Sequence, residues 1–219
     1  MNIEIEHEIK VLNINSDFIE KRIKELGGTQ ILNDLTTMEW FDITSFPDTL
    51  EKYKTDIFKN KIIDQAVKMV YENQKSLRDQ GVLLRLRRQG DVFDLTLKQK
   101  ISGAGSLITT NSELSDIFYT GAAAQKVREE LSLCGFSVVA MHEKKRKSYI
   151  LPIGKEKLRI DLDTWPLIPQ YMEIEGNPSL IHEAISLLGV EKNETTNFTG
   201  EDFFSKYGVD FFSNLSFNH

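Results

Sequence analysis

The stretch VLLRLRRQGDVFDLTLKQK, Val82–Lys100, decides how the rest of the chain is read. Two alternating runs, 82–89 and 92–100, meet at Gly90-Asp91, a pair suited to the tight turn of a β-hairpin. Side chains alternate across a strand, so residues two apart share a face. Leu83, Arg85 and Arg87 therefore lie together, opposite Leu84 and Leu86. Across the turn, Asp94, Thr96, Lys98 and Lys100 alternate with Leu95 and Leu97. One face of the hairpin is charged and the other is apolar.

The same pattern recurs outward in both directions. The run 3–12 places Glu4, Glu6, Glu8 and Lys10 on one face, and Ile3, Ile5, His7, Ile9 and Val11 on the other. Residues 30–44 read as extended. Further strands are expected near 106–114, at 136–150 and 156–163 around a turn containing Pro152 and Gly154, and at 170–175. In these, Lys144, Arg146 and Ser148 share a face, as do Arg159, Asp161 and Asp163, and as do Glu173 and Glu175. Helices are expected at 16–26, with Ser16 or Asp17 as N-cap and Gly27-Gly28 as the stop, and at 121–134 and 178–188. Residues 50–78, with apolar positions at Ile57, Phe58, Ile62, Val67, Val70 and Tyr71, suit one or two amphipathic helices. The aromatic tail, 197–219, is expected to pack on the body, because exposing so many rings is unfavourable. About eight strands, mostly hairpin-linked, with interspersed helices describe an α+β fold around an antiparallel sheet or barrel.

Composition sets the outer bounds. The 219 residues carry 27 basic and 33 acidic side chains, a net charge of −6, and 40% hydrophobic residues, which fits one globular domain, or at most two small ones, and excludes wholesale disorder. No apolar run approaches the roughly 20 residues of a membrane-spanning helix, and the acidic MNIEIEHEIK does not read as a secretory signal. The single cysteine, Cys134, excludes an intrachain disulfide framework and a cysteine zinc site, and reads as a buried small hydrophobe. The expectation is a cytoplasmic protein, monomer or homodimer, with neither membrane nor nucleic-acid coat as partner, since a nucleic-acid surface needs a net basic face.

The arrangement of the charges is more informative than their sum. Acids concentrate on the first strand and the last two, bases on the middle ones. An open sheet with one wet face usually mixes the signs along each strand. If the sheet closes, the charged faces point inward and line a wet tunnel with one carboxylate wall and one guanidinium and ammonium wall. Clustered carboxylates suit hard divalent cations such as Mg²⁺ or Mn²⁺, while Arg and Lys suit phosphate oxygens. A metal–polyphosphate complex satisfies both walls at once.

The sequence resembles the CYTH superfamily, the triphosphate tunnel metalloenzymes. The resemblance rests on Glu6-His7-Glu8-Ile9-Lys10 near the N-terminus and on its ordered companions. These are Leu84-Arg85-Leu86-Arg87, Leu95-Thr96-Leu97-Lys98, Lys145-Arg146-Lys147-Ser148-Tyr149, Arg159-Ile160-Asp161-Leu162-Asp163-Thr164 and Glu173-Ile174-Glu175-Gly176. It covers residues 3 to about 189. It implies one CYTH-like domain over 1–219, an eight-stranded antiparallel closed barrel with helices outside, and a triphosphate-containing small molecule as partner. Residues 50–80 would then be a helical insertion or lid. By this resemblance Glu6, Glu8, Asp161, Glu173 and Glu175 would bind the metal, and Lys10, Arg85, Arg87, Lys98 and Arg146 would grip the phosphates. Family members hydrolyse inorganic tripolyphosphate, thiamine triphosphate or nucleoside triphosphates, or cyclise ATP.

Three positions depart from the pattern. The middle strand reads Glu113-Leu114-Ser115 where the family often has two acids, the 50–78 segment is long, and a C-terminal basic residue has only Lys206 as a candidate. The expected activity is metal-dependent triphosphate hydrolysis, with Lys98, Glu8 and Arg87 as catalytic residues. Lys98, read as lying among other cations, would have a lowered pKa and act as a proton acceptor, or else be a plain phosphate ligand. Adenylyl cyclisation and non-catalytic polyphosphate or nucleotide binding are the alternatives; cyclase members tend to carry a His-Phe pair just before the Glu-x-Glu-x-Lys run, for which there is no room here. Glu4 reads as a solvated rim, His7 as packed, His142 and His182 as surface residues, Gly103-Ala104-Gly105 as a turn, and Trp165 as packing near the tunnel mouth.

Overall fold

The computed structural model describes residues 4–43, 60–102, 108–190 and 195–217. In chain order the elements are β1 (Glu4–Val11), α1 (Ser16–Glu25), β2 (Thr29–Ile43), α2 (Lys61–Asn73), β3 (Val82–Gln89), β4 (Val92–Ser102) and β5 (Thr109–Phe118). There follow α3 (Gly121–Leu133), β6 (Phe136–Ile153), β7 (Glu156–Trp165), β8 (Ile168–Glu175), α4 (Pro178–Leu187), β9 (Thr195–Thr196) and α5 (Gly200–Lys206). Pairing runs β5-β4-β3-β2-β6-β7-β8-β1, and β1 pairs again with β5 from Glu4↔Glu113 to Glu8↔Thr109. Eight antiparallel strands thus close on themselves, and β9 is a short addition beside β1. Closure removes the free edges that an open sheet would expose.

The apolar strand faces point outward and are covered by helices. Leu84, Leu86, Leu95 and Leu97 form one buried cluster with Ile62, Ile63, Ala66 and Val70 of α2 and with Ala124, Val127 and Leu131 of α3. Ile9, Val11, Ile160, Leu162 and Ile174 form a second with Ile19 and Ile23 of α1 and with Ile181 and Ala184 of α4. Each fully buried aliphatic side chain contributes about 1.5–3 kcal/mol, so the shell stabilises a wall whose other face is charged. The described part of the 50–80 segment is therefore a wall-covering helix; residues 50–59, with the expected apolar positions Ile57 and Phe58, lie outside the described residues, as does Gly103-Ala104-Gly105. Cys134 is buried in the first cluster, and its thiol is pushed up to about 12 by burial and Glu130. No helix among the described residues is long and apolar enough to cross a membrane.

Local details differ from the sequence reading where side-chain chemistry is close. Asn15, rather than Ser16 or Asp17, caps α1 by accepting from the Phe18 amide at 3.1 Å; all three types are good caps, and the helix starts one residue earlier. Pro152 lies inside β6, paired with Lys157 of β7. Pairing with β2 stops at Ile150, so the missing proline N–H has no partner to lose. The hairpin turn falls at Gly90, with φ +57, as its sequence requires.

The C-terminal segment packs across one end of the barrel. The Glu143 amide donates to the Leu215 carbonyl at 2.8 Å, and the Leu215 amide to that of Met141 at 2.9 Å. Phe203, Phe204 and Phe211 join Leu12, Met38, Trp40, Trp165 and Tyr171 in a third buried cluster. His142, expected at the surface, is 2% exposed within this floor. It shares parity with Lys144 and Arg146, so it points inward as they do. The Trp40 indole donates to its Nδ1 at 3.0 Å and its Nε2 lies 3.1 Å from the Ser213 carbonyl, which fits a neutral Nε2–H imidazole. Burial lowers its pKa from 6.5 to about 4. The unfolded chain therefore binds a proton that the folded one refuses as pH falls from about 6.5 towards 4. His142 should cost up to about 3 kcal/mol of stability across that window. Urea unfolding at pH 7 and 4.5 of the wild type and a His142→Gln variant checks this: the variant should lose less stability on acidification, and equal losses would remove the assignment.

Candidate active site

Barrel order gathers the scattered charged faces into a mainly acidic side and a mainly basic side. β7, β8, β1 and β5 stand side by side and carry Asp161 and Asp163, Glu173 and Glu175, Glu6 and Glu8, and Glu113. Across the lumen, β4, β3 and β6 carry Lys98, Arg85 with Arg87, and Lys144 with Arg146; β2 lies between β3 and β6 with Met38 and Trp40. The enclosed cavity is about 310 Å³. Closure therefore adds β5 to the acidic side, because Glu113 sits beside β1.

Ion pairs tie the two signs together. Lys98 Nζ reaches Glu6 at 2.5 Å, Glu113 at 2.7 Å and Glu8 at 3.4 Å. Lys10 Nζ reaches Glu8 at 2.7 Å and Glu173 at 3.5 Å. Arg146 contacts Asp161 at 2.5 Å, Asp163 at 2.5 Å and Glu173 at 2.7 Å, and Lys144 meets Asp163 at 2.7 Å. Arg87 is held by Asp94 at 2.6 Å. Arg85 makes no ion pair among the described residues, and its buried Nε–H has no hydrogen-bond acceptor. A guanidinium donor left in that state has a place for an anion.

The acids divide into those whose lysine or arginine partners outweigh burial and those whose partners do not. Burial would raise Glu8, but Lys10 and Lys98 outweigh it and hold the carboxylate at about 2. Glu173 is likewise held low against burial by Lys10 and Arg146. Glu6 rises to about 7 through burial, only partly offset by Lys98 and reinforced by Glu8 and Glu113. Glu175 rises to about 8 through burial and the neighbouring Glu6 and Asp161, against Arg146. These two carboxylates, whose cation partners do not outweigh burial and the neighbouring acids, are poised to accept another positive charge.

All residues expected from the sequence to bind metal or phosphate lie in or against this cavity, with one difference in environment. Lys98 faces carboxylates rather than other cations: burial would lower its pKa, but Glu8, Glu6 and Glu113 together raise it well above its usual value. The strand order explains this, since Lys98 sits next to Glu113 on β5. The expected lowered pKa is therefore corrected. Lys144, which had no assigned role, is the lysine that burial and Arg146 lower, to about 8 despite Asp163. Its parity with Arg146 was the available signal. Lys206 is exposed and lies over the Phe198 and Tyr207 rings, at 5.7 and 5.8 Å, not in the cavity. Glu4 is exposed at the rim, and His7 pairs its Nδ1 with the Thr110 hydroxyl at 3.1 Å. His182 is exposed, as expected.

A divalent cation fits the donor set. Carboxylate oxygens of Glu6, Glu8 and Glu175 lie within 4.8 Å of one another, and so do those of Asp161, Glu173 and Glu175. Together these are the five residues named from the sequence. Asp161 Oδ2 is buried without a hydrogen bond, although Arg146 is near it. Oxygen-only ligands at this density suit Mg²⁺ or Mn²⁺ rather than a soft metal.

No protein-family model matches the chain, and no curated protein does. Solved structures do. A protein of Vibrio parahaemolyticus described as a candidate adenylate cyclase superposes with a TM-score of 0.60 at 14% identity, over 93% of this chain and 99% of its own. A Hippeastrum protein described as a candidate adenylyl cyclase with a dominant triphosphatase activity gives 0.56 at 14% identity, over 94% and 95%. A Pyrococcus horikoshii protein gives 0.57 at 16% identity, over 89% and 96%. At such identities the likeness shows the fold alone: the same closed antiparallel barrel with helices outside.

Proposed function

We propose that this chain is a metal-dependent hydrolase that cleaves a phosphoanhydride bond of a triphosphate, whether inorganic tripolyphosphate, thiamine triphosphate or a nucleoside triphosphate. The observation that carries the reading is the pair of overlapping carboxylate groups, meeting at Glu175, that faces Arg85, Arg87 and Arg146 across one closed lumen. Glu6, Glu8, Asp161, Glu173 and Glu175 would hold Mg²⁺ or Mn²⁺, which when bound supplies charge neutralisation at phosphate oxygens and a more acidic water.

The remaining work falls to the chain's own side chains. Arg85 offers a donor already desolvated and unpaired, and Arg87 a second one oriented by Asp94. Lys10 and Lys98, kept protonated by their carboxylates, act as point charges along the phosphate track. Lys144 is the lysine able to exchange a proton near neutral pH. Holding the chain rigidly among these groups is most of what phosphoryl transfer asks of a protein.

The test is incubation with Mg²⁺ or Mn²⁺ and a panel of tripolyphosphate, thiamine triphosphate and ATP. Orthophosphate release that stops on chelation is the expected result. The cyclase description of one structural relative and the triphosphatase activity of another make the product decisive. Cyclic AMP plus pyrophosphate would replace the hydrolase reading with a cyclase, and tight binding without either product would leave a binding module.

A further inference from the structure

Each of the two carboxylate groups fit for a divalent cation is in contact with a cation of the chain itself. Lys98 Nζ stands 2.5 Å from Glu6 and 3.4 Å from Glu8, two members of the first group. Arg146 lies 2.5 Å from Asp161 and 2.7 Å from Glu173, two members of the second. Each also has a carboxylate outside both groups: Glu113, at 2.7 Å, for Lys98, and Asp163, at 2.5 Å, for Arg146. Lys10 has none among the described residues, since its partners Glu8 and Glu173 belong one to each group.

The two outside anchors hold their cations differently. Asp163 takes Arg146 through a fork, accepting from Nε at 2.7 Å and from a terminal nitrogen at 2.5 Å, which fixes the guanidinium plane. Lys98 is a point charge on a flexible stem, able to swing. An ammonium has three donors, and Glu6, Glu8 and Glu113 stand around this one, so no N–H is left over for a phosphate oxygen. A dication seated on Glu6 and Glu8 would face the ammonium across shared oxygens, where like charges repel strongly. Lys98 relieves that repulsion, and remains paired, by leaving those two acids and keeping Glu113.

We infer that Lys98 and Glu113 form an interlock between metal binding and phosphate binding; this rests on the metal-dependent reading above. While Glu6 and Glu8 carry no metal, Lys98 neutralises them and has no donor to offer. Once they are taken up by a divalent cation, Lys98 stays on Glu113 and turns its other donors to the phosphate track, beside Arg85 on the neighbouring strand. Glu113 is thus a positioning residue that acts through Lys98. One acid on β5 suffices for that task; the next inward position, Ser115, pairs its hydroxyl with that of Thr96 at 3.0 Å.

The experiment is calorimetric titration of chelator-treated protein with Mn²⁺ alone, and then with tripolyphosphate at saturating Mn²⁺, in the wild type and in Lys98→Met. Removing the internal competitor should tighten Mn²⁺ binding roughly tenfold, the scale of one charge-assisted contact that no longer has to be displaced, and weaken tripolyphosphate by a similar factor. A damaged fold would weaken both. Glu113→Gln should loosen Mn²⁺ in the wild type, because Lys98 then has nowhere to withdraw. Most of that loss should vanish in the Lys98→Met background, as a double-mutant cycle requires of a residue acting through its neighbour. If Lys98→Met does not fold, Lys98→Gln, neutral but still a donor, carries the same comparison. The interlock alone is overturned if the wild type binds Mn²⁺ and the neutral variants bind it no tighter. Equal Glu113→Gln losses in both backgrounds, or tripolyphosphate bound as tightly without Lys98, overturn it too. No Mn²⁺ uptake by the wild type overturns the metal-dependent reading and the interlock with it.

Discussion

Replacing Arg146 with alanine is expected to destabilise the barrel by about 3–5 kcal/mol, the cost of leaving buried carboxylates without their partner. Arg146 is 7% exposed and contacts three acids, of which Asp161 and Asp163 are fully buried. Burial alone would lower its pKa, and those acids instead raise it well above its usual value. After its removal Asp163 keeps Lys144, and Glu173 keeps Lys10 at 3.5 Å. Among the described residues Asp161 retains only Arg159, at 3.0 Å and partly exposed. Domains of this kind are typically stable by about 5–15 kcal/mol, so the variant should be marginal at room temperature.

The companion variant separates charge imbalance from lost packing. Adding Asp163→Asn to Arg146→Ala removes one stranded charge and should recover part of the loss, a non-additivity expected for groups in one network. Urea titration of the single and double variants measures both numbers. A loss below about 1 kcal/mol for Arg146→Ala would mean that water reaches the network and screens it as it does a surface pair.

Much of this site was visible in the strand alternation. Arg85 with Arg87, Glu6 with Glu8 and Glu173 with Glu175 are face-sharing pairs that any strand geometry enforces, and Leu84, Leu86, Leu95 and Leu97 mark the side that needs a helical cover. What alternation cannot provide is who stands next to whom around a closed sheet. Lys98 illustrates the limit: its sign of pKa shift depends on β5 and β1 being its neighbours, which is a property of the β1–β5 closure. His142 shows an opposite kind of omission, since its parity with Lys144 and Arg146 was legible. Its burial required knowing that the tail crosses the barrel end and places Phe204 and Phe211 5.6 and 5.2 Å from its ring. The Asn15 cap was hidden because three adjacent residues offer nearly equal capping chemistry.

Glu175→Gln should produce the largest separation between activity and stability. Glu175 belongs to both carboxylate groups, so one substitution removes a ligand from each. Loss of several kcal/mol of charge stabilisation at the reacting centre corresponds to a fall of at least about a hundredfold in metal-dependent kcat. Stability should move the other way. The folded protein raises Glu175 from 4.5 to about 8 through burial and the acids around it. A carboxyl whose folded pKa is raised subtracts stability above its unfolded pKa, increasingly so until pH passes the folded value. Gln has the shape without the charge, so in metal-free buffer at pH 8 the variant should be more stable by on the order of 1–2 kcal/mol. Arg159, 3.8 Å away, opposes this gain, but its closer partner is Asp161 at 3.0 Å. Glu4→Gln is the control, because Glu4 is an exposed rim acid outside both groups and should change neither quantity. Full activity of Glu175→Gln at limiting metal would remove Glu175 from the metal site. A metal-free variant less stable than the wild type would show that the acidic wall is not under repulsion, and with it the idea that the site holds its carboxylates in wait for a cation.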